Sequence, residues 1–392
     1  MPAMRIRFLL ALFLWWLAGL APCAAAPLAS AATTRISLLT CAPGPETYAL
    51  FGHSALRVTD PGRGLDRVYN FGTFDFRTPH FYWRFLHGDL RYFLSVTSFE
   101  RFRLAYAQDN RTLSEQVLAL SPAEAQRIGQ QLAATLHSPA RFYRYQFFAD
   151  NCTTRLFDLI STSLAAPVRV DSAYAAPAAT YRQLLAPYLA PAPWMKLGMN
   201  LGLGWPADQP TTFRQRLFLP TELAAALAHT TRRQQPLVAQ TRLLFVAAPP
   251  TTAAPAGFPS PAIFFLALGL LLLLAHQLPA RYAWPGRLLR GGLFVVVGLV
   301  GGILLGLSCF SLHTPTQANY QLLWLLPTHL ALGFARPGSQ WRRYATVSLV
   351  LLGVGGLIGG AVYYARLLPE AGILLALVAA QLLVFRRQCG RP

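Results

Sequence analysis

Five apolar blocks in the last third of this 392-residue chain constrain its fold more than any other feature. They comprise residues 262–278, 291–310, 320–334, 345–364 and 371–385. Most are long enough to cross a hydrocarbon core of about 30 Å, and the third and fifth are at the short end of that range. A soluble protein would instead need roughly 100 residues of helix with almost no polar face. We therefore predict an all-α membrane domain at 262–385 with about five transmembrane helices.

The charges between the blocks predict the orientation of this domain. The connections 281–290 and 335–343 and the tail 386–392 each carry three arginines and no acid, whereas the connection 311–319 is uncharged. Short arginine-rich loops stay in the cytoplasm. The pattern predicts a multi-pass protein of the inner (cytoplasmic) membrane, with a cytoplasmic tail at 386–392 and with the part before residue 262 on the outside.

Composition supports this interpretation of the charge. The chain is 54% hydrophobic and only 12% charged, against about 25% charged residues in soluble globular proteins. Its net charge of +19 comes from 34 basic residues, of which all but Lys196 are arginine. Such an excess can indicate nucleic-acid binding, but many of these arginines flank the apolar blocks. We expect a membrane and no nucleic acid as partner.

The part before the membrane domain divides into three segments. Arg5 and Arg7 precede an apolar run and a small-residue stretch, which is the order of a secretory signal peptide, predicted at 1–26. Residues 246–261 are rich in Pro, Ala and Thr and predict a linker. The segment 27–245 between them is expected to be an extracytoplasmic domain of mixed α and β structure.

Local patterns within 27–245 predict particular elements. Alternating and β-branched residues predict strands at 35–41, 51–58 and 67–74, and another at 112–120. Ser98 is a helix cap, and Ser121 with Glu124 forms a capping box. A further helix is predicted to start at or just after Cys152.

Cys152 is the chemical centre of the sequence. At a helix N-terminus the backbone dipoles favour a thiolate, which is the nucleophilic form of cysteine. A base must take the thiol proton, and a third group usually orients the base. His53 is the best candidate because it lies in a predicted strand beside Gly52, which permits close approach. The other histidines of the domain are His80, His87, His137 and His229.

A structural interpretation of Cys152 stands beside the catalytic one. Cys41 is the only other cysteine expected in the mature exported domain, and two cysteines in an oxidising compartment often form a disulfide. From the residues alone, a bridge and a reactive thiol are about equally supported. No motif with metal-ligand spacing is present, so we expect no metal and no cofactor.

Several blocks of the sequence closely resemble a bacterial family, named for the Lnb N-terminal periplasmic domain. They are LLTCAPGPETYALFGHSALRV, VYNFGTFDF, GDLRYFLSV and RFYRYQFFADNCTTRLFD, in that order. The later string HTPTQANYQLLWLLPTHL resembles the polar loop and following helix of the family's membrane part. The resemblance covers nearly the whole mature chain.

The resemblance implies a lipoprotein N-acyltransferase with an α+β, papain-like extracytoplasmic domain of the circularly permuted NlpC type, followed by the all-α transmembrane bundle. It implies Cys152 as the acyl-accepting nucleophile and His53 as the base. Cys41 also lies in a matching block, so a bridge to Cys152 stays open. The orienting residue is open as well: Asn70 and Asp75 are candidates, Asn70 the better because Asp75 falls near the predicted strand end.

Three further residues are candidates for substrate binding. Asn151 directly precedes the nucleophile, and His313 and Asn319 lie in the uncharged loop that the topology places on the side of Cys152. A simple connecting turn is the alternative for that loop. The segments 193–201 and 81–85 are candidates for the membrane interface, with ordinary core packing as the alternative.

The resemblance, together with the predicted thiol site and membrane topology, implies an acyl transfer at the outer face of the membrane. The donor would be a membrane phospholipid or a lipoprotein acyl chain, and the acceptor the N-terminal cysteine amine of a lipoprotein. Two alternatives remain at this stage. One is a cysteine amidase or peptidase acting on peptidoglycan stem peptides, and the other is a non-enzymatic membrane scaffold with a Cys41–Cys152 disulfide.

Overall fold

The computed structural model describes residues 34–176, 179–249, 258–360 and 368–390. The predicted signal peptide, the linker residues 250–257 and the end of the fourth apolar block at 361–364 lie outside the described residues.

A seven-stranded antiparallel sheet organises the domain before the membrane region. Its strand order is β10-β5-β1-β2-β3-β4-β6, so β1 and β2 lie near the centre. A second sheet has the order β7-β8-β9. The strands are β1 (Arg35–Cys41), β2 (His53–Asp60), β3 (Leu65–Thr73), β4 (Arg91–Ser98), β5 (Leu113–Leu118), β6 (Phe142–Arg144), β7 (Arg169–Val170), β8 (Thr230–Arg232), β9 (Gln235–Pro236) and β10 (Val238–Phe245).

Helices cover both faces of the large sheet. The helices described in this part of the chain are α1 (Phe81–His87), α2 (Phe99–Gln108), α3 (Pro122–Leu136), α4 (Cys152–Ser163), α5 (Ser172–Ala175), α6 (Tyr181–Leu189), α7 (Pro193–Gly202), α8 (Phe213–Arg216) and α9 (Pro220–Ala228). On one face α3 and α4 pack against Leu38 and Leu56. On the other face Phe102 of α2 packs against Leu39 and Val68. This alternation follows from the two-residue period of a strand.

The local predictions agree with these elements. The strand at 35–41 is confirmed at both ends, and the Ser98 cap and the Ser121 capping box are both present. β2 begins two residues later than expected because Gly52, with φ 77°, ends a turn in front of it. The left-handed conformation there favours glycine.

The membrane region contains five further helices among the described residues. They are α10 (Pro261–His276), α11 (Trp284–Phe310), α12 (His329–Leu332), α13 (Ser339–Gly359) and α14 (Pro369–Gln388). By length and composition α11 and α14 could each cross a membrane, and α10 is apolar but shorter. Phe294, Trp324 and Val378 belong to the shared core of this region.

The third apolar block corrects one expectation, because it is not a transmembrane helix. Residues 320–334 form a short 3-10 turn at Tyr320–Leu323 and the four-residue α12. Pro327 lies between them and lacks the N–H that a continuous helix would need. Backbone of this kind is tolerated at membrane depth only where protein covers it. Trp324 and Leu325 are indeed fully buried.

Glycines of α11 make room for this irregular segment. A methyl group on Gly301 would collide with the carbonyl of Leu325, and one on Gly298 would collide with the backbone of Leu330. A methyl on Gly291 would lie 2.8 Å from the carbonyl oxygen of Gly333. The segment therefore runs antiparallel along α11. Gly301 and Gly291 are ten positions apart, which corresponds to about 15 Å along the helix axis.

Helix α7 links the two parts of the chain. Leu197 and Leu201 are buried in the same apolar cluster as the membrane helices. Trp194 packs edge-on against Phe264 and Phe265 of α10. The segment 193–201 therefore packs into the core of the membrane region, whereas α1 exposes Tyr82 and Trp83.

The glycine contacts predict opposite effects for two neighbouring substitutions. Gly301→Ala should destabilise the folded protein by about 1–3 kcal/mol, because its methyl group meets backbone that cannot rotate away. Gly302→Ala should be neutral or stabilising, because a methyl there meets no described atom within 4 Å and alanine is the better helix former. Thermal unfolding in detergent micelles measures both. Equal midpoints for the two variants would contradict the close packing.

Candidate active site

Cys152 is the first residue of α4, and Asn151 caps this helix. The side-chain oxygen of Asn151 accepts hydrogen bonds from the backbone N–H groups of Thr153 and Thr154, each at 3.0 Å. In turn, the backbone N–H of Asn151 donates a hydrogen bond to the hydroxyl oxygen of Thr154 at 2.8 Å. The thiol thus lies in the first helical turn, where backbone dipoles favour an anion.

The side chain of Asn151, for which substrate binding stays a prediction, is engaged within the protein. Its amide nitrogen donates to the carbonyl oxygens of Phe147 at 2.9 Å and Phe218 at 2.7 Å. Its side-chain oxygen is taken up by the helix start, and the residue is only 2% exposed. With both polar ends engaged inside the protein, Asn151 positions the nucleophile.

His53 lies beside the thiol, and Gly72 leaves room for the two side chains to meet. It is the first residue of β2, directly opposite Cys41 in the register. On the next strand the pairing of β3 with β4 shifts between Asn70 and Thr73. Gly72 lies in this irregularity with φ 91°, and a methyl group on it would lie 3.4 Å from Cβ of Cys152 and 3.9 Å from Cε1 of His53. Such irregularities redirect side chains, here next to the cysteine–histidine pair.

The electrostatics of the site favour a thiolate–imidazolium pair. Burial alone would raise the pKa of Cys152, but the charge of His53 and hydrogen bonds from His53 and from the N–H groups of Ser54 and Thr153 hold that pKa below its ordinary value. Burial alone would lower the pKa of His53, but the charge and hydrogen bond of Cys152 and a hydrogen bond to Asn70 raise it. Each member therefore stabilises the charged form of the other.

The structure separates the two candidates for the orienting group. The side-chain oxygen of Asn70 lies 3.4 Å from Nε2 of His53. Asp75 follows the end of β3, and Arg77 donates to both of its carboxylate oxygens. An amide oxygen that accepts from a protonated imidazole fixes the ring's orientation. Asn70 is the residue in position to do this, whereas Asp75 is engaged in an exposed ion pair.

Cys41 and Cys152 are both free thiols in the part of the chain described. Cys41 is buried, and desolvation raises its pKa to about 12 although Tyr106 and Arg111 act in the opposite direction. A thiol of that kind stays protonated and unreactive at neutral pH. The two cysteines of the domain therefore differ in character, and only Cys152 is poised for nucleophilic attack.

Sequence reasoning missed a group of tyrosines beside the nucleophile. The rings of Tyr92 and Tyr145 stack with centroids 4.0 Å apart, and Tyr92 is paired in register with Tyr143. Burial, and next the negative charge of Cys152, raise the pKa of all three phenols. The aromatic run at 142–148 is visible in the sequence, but only the pairing of β4 with β6 brings it to Cys152.

The residues His313 and Asn319 bridge the membrane region to the preceding domain. Ring nitrogen Nε2 of His313 lies 3.0 Å from the carbonyl oxygen of Phe85 in α1. The amide nitrogen of Asn319 donates to the carbonyl oxygen of Leu201 at 2.7 Å, at the end of α7. In this structure the loop 311–319 therefore joins two helix ends, and both side chains are engaged by backbone carbonyls.

Comparison with known proteins gives two matches to family models. The model described as the Lnb N-terminal periplasmic domain matches residues 27–187, and the one described as the Lnb transmembrane domain matches residues 253–385. Comparisons with curated proteins and with solved structures found no significant match.

Fold and site together define a membrane protein with a periplasmic domain that carries a half-buried cysteine–histidine pair. Both models match in the expected order, and the resemblance of the sequence blocks is confirmed. The chain belongs to the Lnb family, which is associated with lipoprotein biogenesis.

The ion pair predicts an acid-shifted pH profile for thiol alkylation. Cys152 should react with iodoacetamide at half its maximal rate at a pH below the ordinary thiol value of about 8.5. In His53→Ala the cation is lost and burial dominates, so the half-maximal pH should move above that value. Mass spectrometry of the Cys152 peptide separates its modification from that of other cysteines. A profile unchanged by His53→Ala would contradict the pairing.

The loop contacts predict that Asn319 contributes more stability than His313. Asn319 is 5% exposed, and Asn319→Ala leaves the carbonyl of Leu201 without this donor, which should cost about 1–3 kcal/mol. His313→Ala should cost less because the ring is partly exposed and water can replace it. Thermal unfolding of the full chain in detergent tests this order, and the reverse order would refute it.

Proposed function

We propose that this protein is a lipoprotein N-acyltransferase that works through a thioester on Cys152. The observation that carries the proposal is the Cys152–His53 pair at the start of α4, with Asn70 beside the imidazole. A lowered thiol pKa at a helix N-terminus supplies a nucleophile at neutral pH. Membership of a family associated with lipoprotein biogenesis narrows the chemistry from thiol catalysis in general to acyl transfer.

The first half-reaction loads the enzyme. The Cys152 thiolate attacks an ester carbonyl carbon of the donor lipid, and the carbonyl π electrons move to oxygen. When the tetrahedral intermediate collapses, the carbon–sulfur bond remains and the ester carbon–oxygen bond breaks. The leaving alkoxide takes the proton of the His53 imidazolium, so a lyso-lipid alcohol departs and His53 becomes neutral.

The second half-reaction transfers the acyl group. The neutral α-amine of a lipoprotein's N-terminal cysteine attacks the thioester carbonyl while His53 accepts a proton from the nitrogen. A carbon–nitrogen bond forms and the carbon–sulfur bond breaks. The products are an amide, a Cys152 thiolate and a protonated His53, which restores the resting pair.

The surroundings of Cys152 support this chemistry. We assign the developing oxyanion to the backbone N–H of Cys152 at the helix start, where the helix dipole favours negative charge. The phenols of Tyr92, Tyr143 and Tyr145, whose pKa values are raised by burial and next by the charge of Cys152, provide aromatic surface near the thiolate. An apolar acyl chain suits such surroundings better than a charged substrate does.

Membrane attachment suits substrates that carry acyl chains. A tethered active site meets a membrane phospholipid or lipoprotein donor, and a lipoprotein acceptor, at high effective concentration. The arginine-rich connections and tail favour a multi-pass protein of the inner membrane. We also propose the permuted papain-like arrangement, since a histidine from an early strand precedes a cysteine at a helix start.

Mass spectrometry of a lipoprotein N-terminus tests the function. Expression of the wild-type chain in cells that lack N-acylation should add one acyl group to the N-terminal cysteine amine. Cys152→Ala and Cys152→Ser should each abolish that mass increase while the protein stays in the membrane. Cys41→Ala is the matched control, because it removes the unreactive thiol and should leave the N-acylated lipoprotein present.

Other outcomes would point elsewhere. Full N-acylation with Cys152→Ala would refute the mechanism. Muropeptide release from purified sacculi without lipoprotein acylation would favour the amidase alternative. A titration of unfolded, unreduced protein that finds Cys41 and Cys152 oxidised would favour the scaffold.

A further inference from the structure

A cavity of about 390 Å³ lies where the periplasmic domain meets the membrane region. It is lined by Trp83, Arg84, His87, Asp89 and Phe310. The first three belong to α1, and Phe310 is the last residue of α11. The cavity thus joins a short periplasmic helix to the end of a helix that could cross the membrane.

The charges around the cavity favour an anion. Arg84 donates to a carboxylate oxygen of Asp89 at 3.2 Å, and Arg144 contacts the other oxygen at 3.1 Å. Two guanidinium groups therefore share one carboxylate, so the cluster of Arg84, Asp89 and Arg144 has a net positive charge, of which Arg84 and Asp89 line the cavity itself. Nε of Arg84 is buried and has no hydrogen-bond partner among the described residues. His87 adds a further side chain able to donate a hydrogen bond.

The other two lining residues are apolar and face outward. Trp83 is 69% exposed and Phe310 is 71% exposed, although both are large aromatic side chains. Ser311 and Leu312, directly after Phe310, hydrogen-bond to the carbonyl oxygens of Leu86 and His87 in α1. This end of α11 therefore lies at the periplasmic domain. Aromatic side chains with basic neighbours are typical of membrane–water interfaces.

We propose that this cavity binds the phosphate group of a membrane glycerophospholipid. Arg84 and His87 donate to the phosphate oxygens, while Trp83 and Phe310 pack against the glycerol and the upper acyl chains. Arginine suits this role because its planar fork matches phosphate oxygens. The lipid arrives from the bilayer along α11, so the occupant is a membrane lipid and not a soluble phosphate.

This proposal also names a phospholipid as the acyl donor. That donor assignment rests on the proposed function. A series of contacting rings leads from α1 toward the nucleophile: Phe81 to Phe74 at 5.7 Å, Phe74 to Tyr92 at 5.1 Å, and Tyr92 to Tyr145 at 4.0 Å. After burial, the negative charge of Cys152 is the next cause that raises the pKa of Tyr92 and of Tyr145. In a glycerophospholipid only the glycerol unit separates phosphate from ester, so the esters of a lipid held here lie within the length of a glycerol unit from the cavity, and this aromatic path begins on the same helix α1.

Lipid retention by the full chain tests the binding site without relying on catalysis. Native mass spectrometry would compare phosphatidylglycerol with diacylglycerol on the Cys152→Ala protein in detergent. We expect Arg84→Gln to reduce phosphatidylglycerol retention about tenfold and to leave diacylglycerol retention unchanged. Arg84→Lys should restore part of the loss because it keeps the charge but not the fork. Arg101→Gln, an exposed site on α2, is the matched control for the removed charge.

Three outcomes would overturn the site. Equal loss of both lipids in Arg84→Gln, with the thermal unfolding midpoint of the wild type retained, would indicate a purely apolar contact. Unchanged phosphatidylglycerol retention would show that Arg84 does not hold a phosphate. Displacement of the lipid by glycerol 3-phosphate at matched concentration would identify a site for soluble phosphates.

Thioester formation then separates this proposal from the proposed function. With active Cys152 and phosphatidylglycerol as donor, Arg84→Gln should slow appearance of the acyl-enzyme about tenfold, and Arg101→Gln should not. No thioester in any variant, with lipid retention as expected, would refute the proposed function and leave the phosphate site standing. A thioester that forms at the wild-type rate in Arg84→Gln would refute the donor assignment alone.

Discussion

The carbonyl groups at two helix ends join the periplasmic domain to the membrane region, and the placement of the site depends on them. The last carbonyls of a helix lack partners within that helix. At the end of α1 these partners come from residues 311–313, and at the end of α7 they come from Asn319. α1 has only seven residues and is too short to be stable alone. The membrane loop therefore stabilises a helix that lines the cavity at Trp83 and Phe310 and that begins the series of aromatic rings at Phe81.

The lowered pKa of the Cys152 thiol depends on a similar balance between burial and hydrogen bonding. Burial opposes the charged forms of both Cys152 and His53, so an isolated thiol or imidazole at this depth would be neutral. The opposite charges of the two groups and several hydrogen bonds reverse that tendency. They lower the pKa of Cys152 and raise the pKa of His53. At Cys41 burial outweighs the hydrogen bond of Tyr106 and the charge of Arg111, so the pKa of that thiol is raised instead. Asn151 contributes indirectly, because its cap places the first turn of α4 so that Cys152 meets His53.

The irregular third block shows why apolar length alone does not define a helix in a membrane. Residues 320–334 have the composition of a span, but Pro327 interrupts the helix, and bare backbone is costly in lipid. The glycines of α11 let that backbone lie directly against the helix, where protein covers it. Asn319, directly before this block, belongs to the loop that binds α7. The irregular backbone and the junction are thus parts of one continuous segment.

The sequence by itself determined the features that depend on near neighbours. The strand at 35–41, the caps at Ser98 and Ser121 and the helix start at Cys152 follow from local periodicity and side-chain hydrogen bonding. The position of His53 in a predicted strand beside Gly52 made it the candidate partner of Cys152, and the blocks that carry the Lnb resemblance agreed with that choice.

Only the tertiary structure decided which of Asn70 and Asp75 faces His53, because a shift in the β3–β4 pairing sets that geometry. It also decided that Asn151, His313 and Asn319 bind backbone carbonyls, since those carbonyls belong to residues distant in the chain. Contacts between distant segments have no local signal in the sequence. They decide how Cys152, His53 and Asn70 come together and how the periplasmic domain joins the membrane region.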